Sequence, residues 1–190
     1  MKLKEYEAKM LLREARLETS KGILMSDLQQ MPHANLPCFV KIQTIANSRA
    51  KAGGIVLVHR QEELTRKCQE FLGATLLDEV VSEILLDEPV VGLKELYLGL
   101  IFDTSKRCPI LMFNQRGGIA VEENAAETFS CELNYLEGLT EESVKNVPLP
   151  LELLQKFYRC FVDFDCKMLE INPLIQTAEG GLMEVNNILI

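Results

Sequence analysis

Residues 94–113 read KELYLGLIFDTSKRCPILMF. Glu95 to Asp103 is an apolar run opened by a carboxylate, Asp103 to Arg107 carries turn chemistry, and Pro109 to Phe113 returns as a second apolar run. The pattern predicts two strands joined by a short turn, which makes them antiparallel neighbours. Hairpins of this kind interleaved with helices favour an α+β fold over a doubly wound parallel sheet.

Towards the C-terminus, Leu151, Leu154, Phe157, Tyr158 and Phe161 fall on one face of a helix predicted over Pro148–Asp163, with proline in its first turn. Strands follow at Met168–Ile175 and Leu182–Val185, joined by a turn at Ala178–Gly181. Towards the N-terminus, Val80–Leu86 reads as one strand and Gln61–Leu72 as a helix whose apolar face is Leu64, Cys68, Phe71 and Leu72. Ile55–His59 and Cys38–Ile42 read as strands separated by a loop over Thr44–Gly54. A first helix, with Leu3, Tyr6, Met10 and Leu17 on one face, ends before Gly22 and a short strand at Ile23–Met25.

The 190 residues suffice for one domain or for two small lobes sharing a cleft. With 47% hydrophobic and 25% charged residues the chain is expected to fold throughout. A formal net charge of -8 speaks against nucleic acid or an anionic membrane as partner, though a few local cations can still hold a bound nucleotide. No apolar run approaches the roughly 20 residues that span a bilayer, and the charged amphipathic start is unlike a signal peptide. A cytoplasmic location is the expectation. Six cysteines without a C-x-x-C pair read as reduced core thiols.

Lys41, at the end of an apolar strand, precedes Ser48, Arg49, Ala50, Lys51, Ala52, Gly53 and Gly54. Cations around a glycine-containing loop suit phosphate, although the spacing is not that of a P-loop and a solvated basic loop has the same appearance. Glu170 and Asn172 sit two apart in LEINPL, and Glu184 and Asn186 repeat that spacing on the next strand. If the two strands pair, four oxygen-bearing side chains meet on one patch; hard oxygen ligands suit Mg²⁺, and a polar strand face is the other reading. Asp87 closes one strand and Glu95 opens the next, where carboxylates can accept from adenine or ribose or serve as plain strand-end charges. Gln115–Gly118 forms a loop whose guanidinium suits phosphate or a simple turn. His33 and His59 have no Ser or Cys elbow beside them, so a catalytic triad is not expected.

Taken together, KLKEYEAKMLL, VKIQ followed by RAKAGG, KELYLGLIFD, RGGIAVEE and LEINPLIQTAEGG resemble, in order and spacing, the ATP-grasp portion of succinyl-CoA synthetase β subunits. ATP-citrate lyase has a similar domain, so the acid substrate stays open. The resemblance implies two lobes, residues 1–20 with 97–190 and residues 21–96, clasping ATP. It implies that Lys41 meets phosphate and that Ser48, Arg49 and Ala50 lie in the loop over the phosphates. Asp87 and Glu95 would sit at the adenosine end, Asn172 and Asn186 would be Mg²⁺ ligands, and Glu170 would meet a phosphohistidine loop. That histidine and a CoA site would belong to a partner α subunit, and no counterpart of the family's CoA-ligase domain is expected up to Ile190.

The chain departs from the family pattern. Residues 47–54 read NSRAKAGG where GGRGKAGG is usual, Arg116 stands in place of a glutamate, a carboxylate is missing at Ala120, and Asn186 stands in place of an aspartate. Two functions are therefore carried forward: transfer of phosphate from Mg-ATP to a partner histidine, and nucleotide binding or assembly without turnover.

Overall fold

A computed structural model describes residues 1–46, 49–118, 125–178, 181–184 and 187–189. The chain divides into two compact units, one of Lys4–Tyr6 and Ser20–Pro89, the other of Met1–Leu3, Glu7–Thr19 and Val90–Ile190. The first helix, α1 (Glu5–Glu14), buries Ala8 and Leu12 completely, while Met10 is 61% exposed. The buried stripe thus runs through positions 5, 8 and 12 and not through the Tyr6–Met10 face read from the sequence, because Glu5 is itself a buried residue.

In the smaller unit, β1 (Gly22–Met25), β2 (Cys38–Ile42) and β3 (Ile55–Val58) precede α2 (Gln61–Phe71). A short hairpin of β4 (Thr75–Leu76) and β5 (Glu79–Val80) follows, then β6 (Ile84–Asp87). The main sheet is antiparallel in the order β1-β6-β2-β3. Alternation along β2 and β6 sends Cys38, Val40, Ile42, Ile84 and Leu86 into one core with Leu64, Cys68 and Phe71 of α2. Lys41, Leu85 and Asp87 therefore fall on the other face of this sheet, with Lys41 opposite Leu85 and Phe39 opposite Asp87.

The single strand expected over Val80–Leu86 is two elements. Leu77 (φ 53°) and Asp78 (φ 62°) form a primed turn, and Gly73 and Ala74 pair with Val81 beyond it. That hairpin takes Val80 away from β6, and no Asn-Gly pair in the sequence announces it.

In the larger unit, β7 (Lys94–Asp103), β8 (Cys108–Asn114) and β9 (Phe129–Glu132) lie before α3 (Leu151–Asp163). β10 (Met168–Gln176), β11 (Leu182–Glu184) and β12 (Asn187–Leu189) follow it. The sheet is antiparallel, in the order β11-β10-β7-β8-β9 with β12 also on β10. Leu96, Leu98 and Leu100 face a core with Leu111, Phe113, Leu169, Ile171 and Leu174, closed by Leu154, Phe157, Cys160 and Phe161 of α3. These are the mixed helices and antiparallel sheets of the expected α+β fold.

The register of β10 on β7 moves from Ile171↔Leu98 to Leu174↔Leu96, so one extra residue is accommodated at Asn172–Pro173. The bulge keeps Ile171 and Leu174 both on the core face, where uninterrupted alternation would have turned one of them outwards.

Candidate nucleotide site

In the smaller unit, Lys41 is 2% exposed and meets two carboxylates: Nζ lies 2.9 Å from Glu5 Oε1 and 2.6 Å from Asp87 Oδ2. Asp87 is diagonal to Lys41 across the β2–β6 ladder, a spacing that a long side chain can bridge. Gly22, opposite Asp87 on β1, makes room for it, since a Cβ there would stand 3.0 Å from Asp87 Oδ1 and 2.8 Å from Leu85 Cδ1. The Ser20 hydroxyl donates to the same carboxylate at 3.0–3.1 Å.

The loop after β2 folds back on this cluster. Arg49 donates from Nη2 to Glu5 Oε2 at 2.8 Å and from Nη1 to the Ile42 carbonyl at 3.0 Å. The loop closes through Gly53 N–H to Ala50 O, Gly54 N–H to Arg49 O and Ile42 N–H to Gly54 O. Glycine at position 54 lets the loop pack closely on β2, since a Cβ would lie 2.6 Å from Ile42 Cδ1. Gln43 accepts from the Tyr6 N–H at 3.1 Å and so satisfies one donor of the first turn of α1.

Glu5, Asp87, Lys41 and Arg49 thus share one buried cluster of ion pairs. Burial works against the Lys41 charge, but Glu5 and Asp87 more than offset it and hold the ammonium pKa above its ordinary value. Lys41 is accordingly a fixed cation, and it and Arg49 can present donors in a constant geometry. Ala50 is exposed, and Ser48 lies outside the described residues.

The larger unit carries Glu95 and Glu170 on the sheet face opposite its core. Glu95 is exposed at the start of β7, and Glu170, paired with Gly99, is partly buried. Tyr97 reaches over Gly99 to donate its hydroxyl to Glu170 Oε2 at 3.4 Å. A Cβ at Gly99 would stand 2.7 Å from that hydroxyl, so the missing side chain is what gives the tyrosine its path. Burial, and then the Glu170 charge, raise the Tyr97 pKa, which keeps the phenol a donor.

Asn172 faces the Gly117–Gly118 loop. Its Oδ1 accepts from the Gly118 N–H at 2.5 Å and its Nδ2 donates to the Gly118 carbonyl at 3.2 Å. Asn114 prepares that loop by accepting from the Arg116 N–H at 2.9 Å and donating to Thr128. Gly117 presses on β7, where a Cβ would meet the Leu96 carbonyl oxygen at 2.4 Å; at Gly118 (φ 70°) it would meet Glu95 Oε2 at 2.5 Å. Arg116 lies 3.7 Å from Glu127, both exposed. β11 pairs with β10 as the sequence predicts, with Leu174 opposite Glu184, while Asn186 lies outside the described residues.

Both polar atoms of Asn172 are engaged by backbone, and among the described residues no group of three His, Cys, Asp or Glu is placed to hold a metal ion. Glu5, Ser20, Gln43, Tyr97 and Asn114 bond to the candidate residues or their loops and were not singled out by sequence reasoning. Only Glu5 left a sign, as a carboxylate three and seven positions ahead of the buried Ala8 and Leu12.

The sequence matches the model of the ATP-grasp domain over residues 2–176. The chain belongs to the ATP-grasp family. It is 32% identical to the β subunit of succinate–CoA ligase [ADP-forming] from Desulfotalea psychrophila, over 98% of this chain and 55% of that protein. The chain therefore spans about half the length of the curated relatives it matches. Among solved structures it resembles the dinucleotide forming acetyl-coenzyme A synthetase 1 of Ca. Korarchaeum cryptofilum. That protein was solved with coenzyme A and Mg-AMPPCP, its phosphohistidine segment pointing towards the nucleotide binding site (TM-score 0.71, 18% identity, covering 98% of this chain and 91% of that one). ATP citrate lyase from Methanothrix soehngenii, in complex with citrate and coenzyme A, matches at TM-score 0.74 and 18% identity, over 99% of this chain and 50% of that one. At this identity the structural likeness shows the ATP-grasp fold. Among the described residues no helix is long and apolar enough to cross a membrane.

Proposed function

We propose that this ATP-grasp chain is the nucleotide-binding part of an acid–CoA ligase resembling succinate–CoA ligase, and that it delivers phosphate from ATP to a histidine on a partner α subunit. The observation that carries the reading is the fixed cation pair: Lys41 and Arg49 are held by one carboxylate, Glu5, next to a glycine turn. Phosphoryl transfer depends on positioning and charge neutralisation more than on a protein nucleophile, and a strand-end ammonium with a returning guanidinium supplies both. Glu95 serves the adenosine end, Asp87 braces Lys41 and not the adenosine, Ser48 and Ala50 lie over the phosphates, and Glu170, steadied by Tyr97, meets the phosphohistidine segment. Asn172 and Asn186 would meet Mg²⁺ brought by the nucleotide, and the ion would neutralise phosphate charge. The neutral amides of Asn172 and Asn186 add little charge to it. The location is the cytoplasm, and the α subunit supplies the CoA site.

A second reading, nucleotide binding or assembly without turnover, is favoured by the commitment of Asn172 to Gly118. Radiolabelled ATP incubated with this chain and an α partner separates the two. Label on the partner histidine with release of ADP supports transfer, whereas bound ATP without label on the histidine supports the second reading.

A further inference from the structure

We infer that Glu5 is a positioning residue for the nucleotide phosphates, a helix-borne carboxylate that joins Lys41 and Arg49 into one oriented pair of cations. The inference rests on the reading of Lys41 and Arg49 as phosphate-binding groups. Each oxygen of Glu5 goes to a different cation, Oε1 to Lys41 at 2.9 Å and Oε2 to Arg49 at 2.8 Å. Asp87 already supplies Lys41 with a counter-ion at 2.6 Å, so what Glu5 adds is the link to Arg49.

The carboxylate is fixed as well as buried. Its side chain is 0% exposed, and the helix start that carries it is held by the bond from Tyr6 N–H to Gln43. Gln43 in turn donates to the carbonyls of Lys41 and Ile42 at 3.3 and 3.2 Å, so the helix start and the end of β2 are tied at several points. Replacing a buried ion cluster with apolar side chains is often neutral or stabilising, so burial of charge here is no stability argument in itself. An ammonium has three donors and a guanidinium five, and the direction of each is set by the carboxylate that holds it. Protein kinases divide the labour in the same way, with a helix glutamate holding a strand lysine that serves the nucleotide phosphates.

The test compares the chain with Glu5→Gln and Glu5→Asp by calorimetric titration with ATP and with adenosine. The inference predicts that Glu5→Gln weakens ATP by about tenfold to a hundredfold, the loss of a charge-assisted bond. Adenosine binding stays within about twofold, since it lacks the phosphates. Glu5→Asp, which keeps the charge, recovers part of the loss. An unchanged or tighter ATP affinity in Glu5→Gln overturns the inference and leaves the proposed function standing. An unaltered chain that binds no ATP overturns both. Should Glu5→Gln fail to fold, the ¹⁵N-lysine spectrum of the unaltered chain decides. A Lys41 ammonium signal that stays protected from exchange when ATP binds supports the inference, and its loss on ATP addition shows that Lys41 leaves Glu5 and overturns it.

Discussion

Glu5 Oε1 lies 2.9 Å from Lys41 Nζ with both side chains almost wholly out of water, so a residue of the first helix and a residue of the second strand form one buried ion pair. Removing one partner of such a pair leaves an uncompensated charge. Lys41→Met should cost about 3–5 kcal/mol, read by urea unfolding. Combining it with Glu5→Gln should cost clearly less than the two single changes added together, the mark of direct coupling. Additive losses would mean that the pair contributes nothing as a pair.

Gly99 and Gly117 should respond differently to alanine. At Gly99 the new Cβ meets the ends of the Tyr97 and Met112 side chains, which can move, whereas at Gly117 it meets the Leu96 backbone. Gly99→Ala should cost about 1–3 kcal/mol and break the Tyr97–Glu170 bond, and Gly117→Ala should cost more. Thermal melts of the two variants give the order.

Burial pushes the thiols of Cys68 and Cys166 up to about 11 and that of Cys160 up to about 12. With folded pKa values above the unfolded value of about 8.5, their contribution is fully present below that pH and is lost as pH rises through the folded values. The unfolding free energy should therefore fall from about pH 8.5 towards pH 11 to 12. Cys160→Ala should flatten that fall. At pH 8 an alkylating reagent should reach the partly exposed Cys108 and Cys131 ahead of the four buried thiols, as peptide mapping would show.

The turn at Leu77–Asp78 places two side-chain-bearing residues at positive φ. Asn-Gly at these positions is the favoured solution for a primed turn. Leu77→Asn with Asp78→Gly should raise stability by about 1 kcal/mol, measured by denaturant midpoint. A loss would place more of the Leu77 side chain in the packing than its partial burial implies.

Most strand runs and helices α2 and α3 were legible because of their apolar runs and periods, as in Cys38–Ile42 and Leu151–Phe161, whereas the short β9 and β12 were not predicted. The stripe of α1 was not, because two of its most buried side chains, Glu5 and Lys9, are charged and do not count as apolar in any pattern. The break between Val80 and Ile84 was hidden because Leu77 and Asp78 turn the chain without glycine. Lys41, Arg49 and Asp87 were found as site candidates by residue type and by resemblance. The carboxylate shared by Lys41 and Arg49 was not, since Glu5 and Lys41 are brought together only by the folding of the helix start onto the second strand. The clamp of Asn172 on Gly118 was likewise out of reach, because it joins residues whose sequence separation is 54.

The most direct test of nucleotide binding by the Lys41–Arg49 cluster is calorimetric titration of the purified chain with ATP in the presence of Mg²⁺, repeated with AMP. The account predicts micromolar binding of ATP, about -8 kcal/mol, and binding of AMP at least about tenfold weaker because fewer phosphate oxygens reach the cations. No heat with ATP, together with an unchanged melting temperature, would contradict it.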